Sequence, residues 1–350
     1  MMKVFLKIML VVCLCAFTLS TIAAEKMVFK AGHKTLQVWL MPKSVPYPEG
    51  NKPTKSRVDL GKKLFFDTRL SGDGNMSCGS CHSPMFGWSD GLPTARGFRS
   101  VQLERATPTI VNSAFNSLQM WDGREKSLES QALGPMVSAA EMNVDLTAAL
   151  DFLKGNGEYV HEFEKAYPGE GVTDVTLAKA LASYERTVIS NNSSFDKWVK
   201  GNRKAMTKQQ IRGFKLFVDP NKGNCEVCHS APNFTDNGFH NIGLPSFAEE
   251  NPDMGRYSIK PVGILKGAFK TPTLRDVELT APYFHDGSAA SLMAVVDHYV
   301  TGGVDSAHGR VDPNMKALEL NESEKSDLVA FMEALTSPQK PVEFPSLPKN

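Results

Sequence analysis

The chain has 350 residues, 39 Lys and Arg against 38 Asp and Glu, a net charge of +1 and 41% apolar residues. That balance, with no basic stripe or run, argues against a nucleic-acid partner. The apolar content suffices for ordinary cores, and the length fits two domains.

At the N-terminus, Lys3 and Lys7 flank the start of an apolar run from Ile8 to Leu19, followed by Ser20-Thr21-Ile22-Ala23-Ala24. A charged head, a short apolar middle and small residues before a cut read as a secretory signal over residues 1–24. The run is too short to span a bilayer and no later segment qualifies, so a periplasmic protein without a membrane span is expected. Cleavage after Ala24 leaves about 326 residues at a net charge of −1 and removes Cys13 and Cys15. Residues 25–55, with prolines from Pro42 to Pro53, read as an extended N-terminal arm.

Apolar spacing of three and four predicts helices at 56–66, 143–154, 174–190, 207–217, 290–300 and 321–335. Thr207 is a fitting N-cap, and Asn321-Glu322-Ser323-Glu324 a polar helix start. Strand signals are weak. Lys200-Gly201-Asn202 reads as the junction between residues 56–200 and 201–337. The tail, 338–350, holds four prolines and is expected to cross the surface.

The pentapeptide Cys-x-x-Cys-His occurs twice, at Cys78–His82 and Cys225–His229. Two thiols at this spacing can add to the two vinyl groups of one porphyrin, and the next His then becomes the proximal iron ligand. Zinc and thioredoxin-like readings do not require that His. The pairs also stand 147 residues apart, far beyond zinc-ribbon spacing. Two covalent haem c groups are therefore expected. These four are the only cysteines left after signal removal, so no structural disulfide is expected.

The surroundings of the motifs repeat. Gly61-Lys62-Lys63-Leu64-Phe65-Phe66-Asp67 precedes the first, and Gly213-Phe214-Lys215-Leu216-Phe217-Val218-Asp219 the second. Further on, one offset of 164 residues matches Thr107-Pro108-Thr109 to Thr271-Pro272-Thr273, Trp121-Asp122-Gly123 to His285-Asp286-Gly287, and Ser127-Leu128 to Ser291-Leu292. The expected fold is mostly α, with two cytochrome c-like haem domains related by internal duplication and long loops.

The same offset carries Pro135 onto Tyr299. If these sit on the far side of the two irons, the first iron faces a proline with no donor atom and the second a phenol. His298 is the alternative ligand. Met293 is about 240° from Tyr299 on a helix, so the two cannot share a face. One open and one capped iron predict substrate chemistry at the first.

Taken jointly, Leu60–Asp67, both haem motifs, Thr107–Thr109, Trp121-Asp122-Gly123-Arg124, Thr271–Arg275 and Thr280–Gly287 resemble the bacterial dihaem cytochrome c peroxidases, and among them the MauG branch. The resemblance covers most of residues 55–300. It implies a peroxidase acting on hydrogen peroxide, with an open first haem held by His82, a second haem held by His229, and Trp121 as the relay between them. It implies Glu141 as the acid–base carboxylate and Gln131 as the pocket amide. Ordinary members have a methionine where Tyr299 stands, as the MauG branch does not. Many also have a blocking histidine where Phe98 stands, so the first iron is expected open without reductive activation. The family's inter-haem calcium maps onto Thr280 and Pro282, but its asparagine position is Ala106, which offers no side-chain oxygen. His240 is expected near haem 2 with no assigned role. The implied function is peroxide-driven formation of a high-valent dihaem state that oxidises a partner protein, with tryptophan as target. The alternative is peroxide reduction fed by a small cytochrome c or cupredoxin.

Overall fold

The computed structural model describes residues 26–349; the expected signal segment lies outside them. The architecture is mostly helical, with long loops. In chain order the helices are α1 (Lys55–Phe66), α2 (Cys78–Cys81), α3 (Leu128–Val137), α4 (Leu146–Gly155), α5 (Gly157–Ala166), α6 (Asp174–Glu185), α7 (Ser194–Val199), α8 (Lys208–Val218), α9 (Leu292–Thr301) and α10 (Glu322–Glu333). Short 3-10 turns punctuate the loops. Two-residue strands β1 (Phe239–His240) and β2 (Phe269–Lys270) pair antiparallel, Phe239 opposite Lys270. No described helix is long and apolar enough to cross a membrane.

All six predicted helices form. Thr207 and Asn321 cap α8 and α10 as expected, each side chain accepting a backbone N–H three residues on. Such a cap is worth about 1 kcal/mol. Sequence reading missed α2, α3, α5 and α7. In α3 the pair Gly134-Pro135 argues against a helix, but Pro135 lies near its C-terminal end. The capping box of Ser127 and Ser130 secures the other end. In α5, Tyr159, Phe163 and Ala166 supply the buried stripe, and Asn156 caps it. The arm is not wholly extended, since Lys34–Trp39 forms a 3-10 helix.

Two buried clusters organise the chain. The first gathers Leu60, Leu64 and Phe65 of α1 with Phe163 of α5 and Leu177 and Leu181 of α6. The second gathers Phe214 and Phe217 of α8, Val296 of α9 and Leu328 and Phe331 of α10. Leu36 and Trp39 of the arm join the second, as do Phe195 and Trp198 of α7. Packing thus puts residues 194–199 with the second core, ahead of the junction expected at 200–202. The chain end returns to the first core. Val342 packs against it, Phe344 meets Phe66 edge-on at 5.0 Å, Arg69 donates to the Pro348 carbonyl and Asn156 to that of Lys349.

Each core is built on a close helix crossing through glycine. A Cβ on Gly61 of α1 would stand 1.9 Å from the Ala180 carbonyl oxygen of α6. A Cβ on Gly213 of α8 would stand 1.9 Å from that of Asp327 in α10. These are the glycines that open the two Leu-Phe segments. The offset of 164 holds in the backbone as well. Asn112 and Asp276 take φ of 55° and 58°, Met120 and Phe284 take 71° and 72°, and Gly123 and Gly287 both take 65°. Helices α3 and α9 each start one residue after a serine N-cap, Ser127 and Ser291. Pro135 and Tyr299 are the eighth residues of those helices.

Arg275 ties three segments together. Its fully buried guanidinium pairs with the equally buried Asp196 of α7 at 3.0 Å and donates to the carbonyls of Trp39 and Pro232. Breaking such a pair strands a charge in apolar surroundings. Arg275→Met is expected to lower unfolding free energy by about 3–5 kcal/mol, read as a shift in the denaturant midpoint. A change below about 1 kcal/mol would mean that Asp196 finds another partner.

Candidate dihaem site

The two Cys-x-x-Cys-His segments adopt closely similar local forms. In each, the His backbone N–H donates to the first Cys carbonyl at 2.9 Å, His82 to Cys78 and His229 to Cys225. That single turn turns both thiols and the imidazole toward one space. All four cysteines are free thiols. Burial pushes the Cys78 and Cys225 thiols up to about 12.

Each imidazole is oriented from behind. His82 Nδ1 lies 3.2 Å from the Trp88 carbonyl and His229 Nδ1 lies 3.0 Å from the Phe234 carbonyl. A carbonyl only accepts, so Nδ1 carries the proton and the lone pair falls on Nε2, as an iron-binding histidine needs. Burial lowers both pKa values and keeps the rings neutral.

One continuous cavity of about 800 Å³ runs between the motifs. Phe65, Ile110, Leu128 and Ala132 wall the first half; Phe217, Leu274, Leu292, Val296 and Met332 wall the second. Two buried polar atoms on its lining have no hydrogen-bond partner, Ser113 Oγ and Glu185 Oε2. Burial pushes the Glu185 carboxyl up to about 8. Apolar walls, paired thiols and an Nε2 donor at each end fit two covalent haem groups.

The cavity brings the sequence candidates together. Gln131 and Pro135 lie four apart on α3, hence on one face, and both line it with Glu141. The Met142 N–H donates to the Pro135 carbonyl, folding the Glu141 turn back over α3. Phe98 is half-buried and outside the lining, while its N–H donates to the Ala140 carbonyl and braces that turn. Trp121 lies on the lining, its Nε1 donating to the Ala106 carbonyl at 2.9 Å. Thr280 and Pro282 are on the lining too. Ala106 brings no side-chain oxygen there.

The second half separates the rival ligands. Tyr299 lines the cavity, and burial raises its phenol well above the ordinary value. His298 is outside the lining, its Nε2 hydrogen-bonded to the Ile242 carbonyl at 2.9 Å. Met293 is also outside it. His240 lines the cavity between two carboxylates, Asp312 at 2.7 Å and Asp236 at 2.8 Å. The hydrogen bond to Asp236 leads the causes that raise its pKa. Cys228, Asp236 and His240 approach one another closely enough to hold an ion. Cys228 belongs to a haem motif and His240 is already doubly bonded, so the trio reads as an ion-paired histidine.

Sequence reading missed two residues on this lining. Lys270 is 8% exposed, and its signal was a lone cation inside an apolar strand before Thr-Pro-Thr. Glu185 ends α6, and its signal was an acid closing the segment Ala180-Leu181-Ala182-Ser183-Tyr184.

A family model for di-haem cytochrome c peroxidase matches residues 55–204. The chain is 39% identical to a methylamine utilization protein MauG from Methylophilus methylotrophus over 333 residues, covering 95% of this chain and 97% of that one. It is 42% identical over 312 residues to the MauG of Methylorubrum extorquens, covering 88% and 86%. It is 36% identical over 293 residues to a cytochrome c551 peroxidase from Nitrosomonas europaea, covering 83% of each. Among solved structures, a MauG-like protein associated with microbial copper homeostasis superposes with a TM-score of 0.78 at 29% identity, covering 85% of this chain and 95% of that one.

Proposed function

Because the chain belongs to the di-haem cytochrome c peroxidase family, acting on peroxide with haem, we propose that it is an exported enzyme using hydrogen peroxide to oxidise a partner protein, with tryptophan side chains as target. Two covalent haem c groups, when bound, supply peroxide cleavage at the first site and a redox store at the second. The observation that carries this reading is Tyr299, a phenol where a thioether would make a simple electron inlet. An anionic oxygen ligand holds iron oxidised, whereas methionine raises the potential.

In this reading Cys78, Cys81, Cys225 and Cys228 would anchor the haems, His82 would hold the first iron, and His229 and Tyr299 would hold the second. Pro135 offers no donor atom and so would not compete with peroxide at the first haem. Glu141 moves one proton between the two peroxide oxygens, and Gln131 orients the peroxide. Phe98, turned aside, leaves entry free. Trp121 passes oxidising equivalents between the halves. Its N–H donates to a carbonyl that cannot take the proton, which fixes the indole plane.

The paired backbone angles and paired glycine crossings support a further part of the proposal. The halves, 56–200 and 201–337, are homologous haem domains, and Pro135 and Tyr299 are the same position put to two uses.

The test is peroxide turnover with reduced cytochrome c as donor. The proposal predicts slow turnover and a long-lived oxidised spectrum when no donor is present. Fast turnover with no such spectrum would instead support the peroxidase reading that the Nitrosomonas europaea relative suggests.

A further inference from the structure

The cations on the cavity lining are nearly all paired. Arg105 bridges Asp122 at 2.7 Å and Asp253 at 2.6 Å, Arg124 reaches Asp122, and His240 sits between its two carboxylates. Lys316 is exposed. Lys270 differs. Only 8% exposed, it donates from Nζ to the Thr271 carbonyl at 3.2 Å and has no ion pair among the described residues. The carboxylate that reaches it electrostatically, Asp236, is engaged with His240.

Its backbone cannot swing it out. Lys270 N–H donates to the Trp121 carbonyl, its register partner is Phe239, and the next N–H, of Thr271, donates to Gly238. Two residues on, the Pro272 carbonyl bears on the His229 imidazole. The side chain therefore belongs to the second half of the cavity. A buried ammonium without a counter-ion is costly, and burial, against the opposing pull of Asp236, lowers Lys270 to about 8. Haem c carries two carboxylate side chains, the chemical complement of such a group.

We propose that Lys270 is the counter-ion of a carboxylate on the haem held at the second motif. The pairing anchors that haem beside the Trp121 backbone. It also neutralises an anion near the iron and so moderates the pull of the Tyr299 phenol toward the oxidised state. The inference rests on haem attachment at Cys225 and Cys228, not on the identity of the partner.

The experiment compares the wild-type holoprotein with Lys270→Met, Lys270→Gln and Lys270→Arg. Haem content per chain and its attachment site are measured first; a wild type with haem at Cys225 and Cys228 alone defeats the dihaem reading and not the lysine assignment, whereas one with no haem there overturns both. In Lys270→Met the ferric/ferrous equilibrium of the second haem should move about tenfold toward ferric, which is about 59 mV for one electron. Its propionate-bending band in resonance Raman should shift. Lys270→Arg should keep both near wild type. Should Lys270→Met lose the second haem, Lys270→Gln is read the same way. Loss of the second haem from both neutral variants, with retention in Lys270→Arg, supports the pairing through content alone. An unchanged potential and band in a neutral variant carrying two haems overturns it, as does an arginine variant that behaves like the neutral ones.

Discussion

Tyr299→Met should cut oxidation of the partner protein at least about 100-fold, the upper end of the loss when a group supporting a metal site is removed, with both haems still attached. The side chain is the eighth residue of α9, the helix is capped by Ser291, and the phenol faces the cavity wall shared with Val296 and Leu292. Methionine keeps helix propensity and fills similar apolar volume, so the fold should hold. What changes is the donor. A thioether favours ferrous iron and raises the potential, which turns a store of oxidising equivalents into an inlet for electrons. Turnover with reduced cytochrome c should persist or rise while the long-lived oxidised spectrum disappears. Wild-type rates of partner oxidation in this variant would remove the phenol from the mechanism.

Glu141→Gln should slow peroxide consumption by about 10²–10⁴-fold, the usual worth of a positioned proton-transfer group. The amide keeps the shape and hydrogen-bonding reach of the carboxylate but cannot take and return a proton. The turn that carries it is held by backbone bonds from Glu141 to Ser138 and from Met142 to Pro135, none of which involves the side chain. Haem content and the resting spectrum should therefore match wild type, and stopped-flow mixing with peroxide isolates the step. A rate within about threefold of wild type would show that another group moves the proton.

Much of this was readable from residues alone. The proposed haem sites follow from Cys-x-x-Cys-His, because the chemistry of attachment fixes residue types at fixed spacing. The proposed equivalence of Pro135 and Tyr299 follows from one constant offset. That α3 and α9 share a cap and a length was hidden, because Gly134-Pro135 looks like a break when read locally and becomes harmless only near a helix end. Residues 194–199 show a different limit. Their sequence position suggests the first half, yet Phe195 and Trp198 pack against Phe214, and nothing local to six residues announces a partner on a distant helix. That His298 turns away from the cavity Tyr299 lines also needed three dimensions, since the Ile242 carbonyl that engages the histidine lies 56 residues away. Lys270 escaped notice because a cation's lack of a partner is visible only when every neighbour is in place.

The two ends of the described chain change sides. Trp39, near its beginning, is wedged among the rings of the second core, while Val342, Phe344 and Pro348, near its finish, lie against the first. Such an arrangement works as a buckle: neither lobe can swing away from the other until one strap is unfastened. In the proposed dihaem protein, the spacing between the two haem motifs would thereby be guarded by segments that carry no haem. A purification tag fused to the carboxyl end would tug on the Arg69 latch, so a tag placed elsewhere better preserves the native spacing.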